Sequence, residues 1–339
     1  MNRHLKLSRA ALCVWATMLT VIQVWVTTSG NTSTLLSSPA SSSPADPSSP
    51  HPPCPRHCIH QRLHHPLAWW DKRLLHHLQA KMETPPKLSP QHLNGLDPHH
   101  PPWEHLFSYN QTEGLLRTIF QGKAGGVFVE VGAQDGLWLS NSWWLEAVRG
   151  WQGLLVEADP LNYLQLRASP RTSRILPVCV TADTHIVQEQ MVRTRNPSHV
   201  TEELFRIQTG HSKRLKYATP TDVALGEVWN TTCYPLFSVL AAAGYKTVDL
   251  LILDVSGGGF EMMTKFLTEN KDIGNHFHVK MILYQDNELL QFFSLDEVKE
   301  NLQEHGYRLI HIKQNHYLLY HESTKIHIMP YNSEPQPSQ

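Results

Sequence analysis

The sequence predicts an α/β domain over residues 103–330, built on a mostly parallel seven-stranded sheet that ends in a C-terminal antiparallel hairpin. Three observations carry this. Beyond Trp103, short apolar runs alternate with amphipathic stretches, the pattern of βα units feeding a parallel sheet. The runs at 127–131, 154–157, 175–180, 250–255, 279–284, 307–312 and 317–321 supply the strands. The last two are separated by a few polar residues and no helix, which makes them a hairpin.

Taken in order, the chain begins with Arg3, Lys6 and Arg9 ahead of an uncharged, mostly apolar run over 10–26. That run sits at the short edge of a membrane span and exceeds most cleaved signal cores. No charge follows until Asp46, so the positive-inside rule puts residues 1–9 in the cytosol and the rest across a membrane. Two outcomes stay open: a single-pass type II signal-anchor, or cleavage near Thr28 to Gly30 and secretion. Translocation makes Asn31, Asn110 and Asn230 usable as glycosylation acceptors, because each begins an Asn-x-Ser/Thr triplet. Locality pairs Cys54 with Cys58 and Cys179 with Cys233.

Residues 27–102 read as a disordered stem. The first part is nearly all Ser, Thr, Pro, Ala and Gly, too little apolar surface to offset chain entropy. The stretch 51–105 holds 11 of the 22 histidines and one short amphipathic piece at 67–82 that can be helical. The segment CPRHCIH at 54–60 has metal-ligand spacing, but no second ligand cluster follows, and an oxidising compartment favours a disulfide, so no metal is expected. The formal net charge of -1 offers no basic field, so nucleic acid is not expected as a partner. A polar tail closes the chain at 331–339.

Within the domain, helices are expected at 104–121, 142–148, 161–168, 236–243, 261–268 and 295–305. Residues 181–219 show neither a period-2 nor a period-3.6 pattern and read as an insertion near the site, either a lid or disordered.

The strongest local signal is GGVFVEVGAQDGLWLSN at 125–141. An apolar strand carries Glu130 and leads into a turn holding Gly132, Asp135 and Gly136, the E-x-G-x-x-x-G form of a nucleotide-approach loop. The next unit ends its strand in Glu157, where an acid can accept from ribose hydroxyls. The plainer alternative is an ordinary βαβ pair with polar strand ends.

The run FVEVGAQDGLWLSNSWWLEAVRGWQGLLVEADPLNYLQL resembles the FkbM-type methyltransferases, and within them the Star protein group. VDLLILDVSGG resembles their fourth-strand motif and GYRLIHIKQNHYLLYH their closing hairpin. The resemblance implies a Rossmann-like class I methyltransferase fold with S-adenosylmethionine at the carboxyl ends of the first two strands. Glu130, Gly132 and Asp135 would then line the methionine end, Glu157 would hold the ribose, and Gly136 would complete the cofactor-binding set. The Star group further implies a short cytosolic N-terminus, a single span and work in the endoplasmic reticulum, Golgi or endosomes, moving membrane-bound EGF-type ligand precursors.

The reactive end departs from the family. Its fourth strand usually ends in Asp-x-Glu-Gly-x-Glu, whereas here Asp254 is kept and both glutamates are replaced, by Ser256 and Gly259. The acid usual after the fifth strand is also displaced, with Leu283, Tyr284 and Gln285 preceding Asp286. A base for methyl transfer must come from Asp254, Asp286 or Tyr284. Three readings follow: the first is a methyltransferase-fold module that binds secretory cargo without catalysis, and the second an active S-adenosylmethionine-dependent O- or N-methyltransferase. A secreted domain with an unrelated ligand is the third.

Overall fold

The computed structural model describes residues 67–86, 97–101, 107–194, 212–285, 295–313 and 316–324. In chain order the elements are α1 (Lys72–Lys81), α2 (Phe107–Phe120), β1 (Val127–Val131), α3 (Trp143–Arg149), β2 (Gln152–Val156), α4 (Pro160–Arg167), β3 (Arg174–Leu176), β4 (Cys179–Thr181), β5 (Val187–Thr194) and β6 (Ser212–Arg214). A single 3-10 turn (Leu215–Tyr217) leads to α5 (Pro220–Leu225), β7 (Gly226–Pro235), α6 (Leu236–Ala243), β8 (Thr247–Val248) and β9 (Leu250–Leu253). The remainder is α7 (Gly259–Asp272), β10 (His278–Val279), β11 (Met281–Gln285), α8 (Leu295–Glu304), β12 (Tyr307–Lys313) and β13 (His316–His321).

The main sheet has seven strands in the order β12-β13-β11-β9-β1-β2-β3. β1 pairs in parallel with β2 and β9, and β11 with β9, while β13 runs antiparallel to both β11 and β12. This is the Rossmann-like α/β arrangement with its terminal hairpin. The central strands are mostly apolar because both faces are covered, with Glu130 of β1 the charged exception among β1, β2 and β9. Val129, Val131, Leu154, Val156, Leu251 and Leu253 pack on one face with α1, α6, α7 and α8, and Phe128, Leu155, Leu250 and Ile252 pack on the other with α2, α3 and α4. Local signals set the helix limits. Asp159 caps α4 by accepting from Leu161 N at 2.8 Å, with Pro160 at the first helical position.

Two expectations about order are corrected. The stem does not extend over the whole of 27–102: α1 buries Leu74 and Leu78 in the core against α6, and Glu83 bridges Ile175 at the sheet edge. An amphipathic helix with two core leucines is retained by packing, whatever the composition around it. The insertion is not patternless either. It supplies β5 and β6 to a second sheet of order β4-β7-β5-β6, in which β5 pairs antiparallel with β7 from Val187↔Cys233 to Thr194↔Gly226. The run expected as one strand at 175–180 is divided between the two sheets, β3 in one and β4 in the other. A buried Cys179–Cys233 disulfide ties β4 to β7. Cys54, Cys58 and the rest of 54–60 lie outside the described residues.

The membrane location is also corrected. No helix among the described residues is long and apolar enough to cross a membrane, and the span expected over 10–26 lies outside them. Asn31 lies outside them as well, Asn110 falls in α2, and Asn230 is exposed on β7.

Candidate functional site

The carboxyl ends of β1, β2 and β9 meet in a cleft whose fourth wall is β6. Gly132, Gln134, Glu157 and Asp254 line it from the main sheet, and Ser212, Lys213 and Arg214 line it from the second. The parallel order brings Glu157 and Asp254 to opposite flanks of the β1 end, since β2 and β9 are its two neighbours.

Gly132 adopts φ +90° there, and a Cβ would stand 1.9 Å from the Asp254 carbonyl oxygen. The close approach that requires glycine is made by the chain's own β9 turn. Glu157 accepts from Gln134 N and Asp159 N, each at 2.7 Å. Burial nonetheless raises its carboxyl to about 7. Asp254 is half-buried, and among the described residues no hydrogen bond reaches its carboxylate. Burial, with the charge of Glu130 added, raises it to about 7 as well. The Gln134 Oε1 is buried without a partner.

Glu130, Asp135 and Gly136 stand apart from this lining. Strand alternation turns Glu130 to the face opposite Val131. There it accepts from Ser140 Oγ at 3.0 Å and from Ser142 Oγ. Arg171, fully buried, donates to Glu146 at 3.1 Å, to the Gly136 carbonyl at 2.6 Å, to Ser140 at 3.0 Å and to Ser142 at 2.6 Å. Asp135 accepts from Leu137 N and Trp138 N and so shapes the turn. Tyr284 is buried in the core, stacked on Tyr317 with ring centroids 4.8 Å apart. Asp286 lies outside the described residues.

Sequence reasoning missed the residues that close the cleft. Asp159, fully buried, accepts from Arg193 Nε at 2.6 Å and from Ser212 Oγ, and thereby clamps β5 and β6 onto the α4 N-terminus. Lys213 donates to Asp222 at 3.1 Å and its backbone bridges Ser256, one of the two positions that lack the expected acid. Tyr217 donates to Glu261 at 2.8 Å and lays its ring over the glycine run, where a Cβ on Gly257 would come within 2.5 Å of it and one on Gly258 within 2.7 Å. The Asp-Pro pair after Glu157 was a visible helix-cap signal. The lid alternative for 181–219 was open from the sequence, but nothing in KRLKY at 213–217 singled out these residues within it.

The consequence is a small space. The cavity measures about 70 Å³, against roughly 300–1,000 Å³ for sites that take drug-sized ligands. The cleft is therefore narrow in this conformation, with Glu157 on its β2 side and Asp254 on its β9 side.

The family model described as the methyltransferase FkbM domain matches residues 130–309, more than half of the chain. Among solved structures, the chain is similar to the METTL16 MTase domain at 11% identity, covering 64% of this chain and 67% of that one with a TM-score of 0.35. It is also similar to a methyltransferase from Pyrococcus furiosus, at 13% identity, 64% and 91% coverage and a TM-score of 0.33. A third similarity is to precorrin-6y C5,15-methyltransferase from Geobacter metallireducens, at 12% identity, 62% and 85% coverage and a TM-score of 0.31. No curated protein matches the chain by sequence.

Proposed function

The chain belongs to the methyltransferase FkbM domain family, and from that premise we propose that it is a non-catalytic member, a methyltransferase-fold domain that acts by binding a protein partner. The observation that carries this is the closure of the cofactor cleft by the chain's own 212–217 segment. Asp159, Asp222 and Glu261 each anchor that segment, and Tyr217 lies over the turn where two family acids are replaced. The partner class is an EGF-type ligand precursor, assisted in its transport. Resemblance to the Star group supports this, as does the Cys179–Cys233 disulfide, which forms under the same oxidising conditions that disulfide-dense EGF modules require.

A second reading, an active S-adenosylmethionine-dependent O- or N-methyltransferase, is favoured by one observation. Glu157, Asp254 and the unpartnered Gln134 Oε1 all remain in the cleft. This reading requires the 212–217 segment to move out, with Glu157 then accepting from ribose hydroxyls.

Calorimetric titration of the full chain with S-adenosylmethionine tests the choice. The first reading expects no saturable heat up to about 1 mM cofactor, the weak-binding limit near -4 kcal/mol, while an EGF-type precursor is still captured by both the native chain and Asp254→Asn. Micromolar binding lost in Glu157→Gln, with methyl transfer to any acceptor, overturns it in favour of the enzyme.

A further inference from the structure

At the opposite, amino-terminal edge of the main sheet lies a second cavity of about 550 Å³. It opens between the end of α2, the residues that lead into β9 and β11, and the turn after β13. Its size falls within the range of small-molecule sites. It shares no lining residue with the methyltransferase cleft.

Its chemistry is cationic at one side and apolar at the other. Asp249 accepts from Lys280 Nζ at 2.7 Å, from Lys123 Nζ and from Val127 N at 2.9 Å. Burial alone would raise the Asp249 carboxyl, but the hydrogen bonds from Lys123, Lys280 and Val127 outweigh it and hold the group below the ordinary carboxylate range. One ionised carboxylate therefore faces two ammonium groups, and the cluster keeps an excess positive charge. Each ammonium has three donors. The side chains of Lys123 and Lys280 remain 36% and 34% exposed, so donors are left for a ligand. His278 stands on the same wall, and Ile119, Phe120 and Met281 form the apolar one.

We propose that this cavity binds a small organic anion, a carboxylate or phosphate monoester on an apolar body, with its acidic group on Lys123 and Lys280 and its body against Ile119, Phe120 and Met281. Neither half of the site selects such a ligand alone. Two exposed lysines without a cavity would hold inorganic phosphate equally well. An apolar cavity without the lysines would take the uncharged analogue.

The test titrates the full chain with phenyl phosphate, benzoate, inorganic phosphate and benzyl alcohol. At least one aryl anion is expected to saturate a single site roughly tenfold more tightly than inorganic phosphate does, with benzyl alcohol silent. The two aryl arms separate a phosphate ester from a carboxylate as the natural ligand class. Lys280→Gln, which leaves Lys123 on Asp249, is expected to weaken the anion roughly tenfold. Ser323→Trp fills the cavity from an exposed position without touching the ion pairs, and should abolish binding even if Lys280→Gln fails to fold. No saturable binding of either aryl anion, equal affinity for inorganic phosphate, or binding unchanged by Ser323→Trp would each overturn the proposal.

Discussion

Replacing Asp254 by Asn should stabilise the protein at alkaline pH and leave it unchanged in acid. Its carboxyl is raised from 3.8 to about 7 by burial and by Glu130. Between those values the folded state keeps a proton that the unfolded chain has released, so stability falls as pH rises through that window and the loss is complete above about pH 7. Three units at roughly 1.4 kcal/mol each set an upper bound of about 4 kcal/mol. Asp254 is only half-buried and lines a cavity that water can reach, so solvent screening reduces the expected cost to about 1–2 kcal/mol. Asparagine keeps the shape without the charge. For a domain of this size that corresponds to a melting temperature higher by about 3–6 °C near pH 8, shrinking to nothing near pH 4. Circular-dichroism melts of both proteins across that range measure the difference. Glu157 titrates in the same direction in both proteins, so its contribution cancels. A variant less stable than the native chain near pH 8, or an offset that does not vary with pH, would refute the claim that an unpartnered charge sits at the cleft.

Arg171→Met should destabilise by about 3–5 kcal/mol in urea titration, because it leaves Glu146 and Glu130 buried without the guanidinium that serves both; a loss under 1 kcal/mol would mean the carboxyls are neutral in the native state. Gly257→Ala should cost more in the native background than in Tyr217→Ala, with a coupling of about 1–2 kcal/mol, because only the ring contact at 2.5 Å is relieved and the strain at φ +83° persists in both. Additive effects in that double-mutant cycle would remove Tyr217 from the glycine turn. Leu78→Ala should cost about 2–5 kcal/mol by thermal or urea unfolding, since Leu78 is fully buried; no change would place α1 outside the cooperative unit.

The main sheet was readable because its strands are covered on both faces, so 250–253 and 281–284 appear as unbroken apolar runs and 127–131 as a run interrupted by Glu130 alone. The second sheet was not. In β5, Gln188, Glu189 and Gln190 face Thr232, Thr231 and Asn230 of β7. Side chains there hydrogen-bond across the strands, as Gln188 does with Thr232 at 3.0 Å. Such a ribbon is held by its ladder and the Cys179–Cys233 tie, neither of which leaves a hydrophobic period in the sequence. Site residues divide by the same logic. Glu157, as the residue after β2, was readable as a group at the strand's carboxyl end. Glu130 lies inside a strand, where alternation fixes that it opposes Val131 but not which face holds the cleft, and it belongs to the Arg171 network.

Of the two positions where the resemblance expects an acid, Ser256 touches the 212–217 segment directly. Ser256 offers its backbone to Lys213, and Gly257 and Gly258 leave open the volume that the Tyr217 ring fills. Side chains at 257 and 258 would displace the ring, and both positions sit at positive φ. Gly259 is constrained as well, since a Cβ there would stand 2.9 Å from the Gln285 carbonyl oxygen. Gly257 and Gly258 therefore form a socket for the Tyr217 ring. Tyr217 is held there by Glu261, which also pairs with Lys265 at 2.9 Å. Restoring one acid at 256 would leave this lid in place. On the proposed non-catalytic reading, the docked 212–217 segment counts for more than the replaced carboxylates.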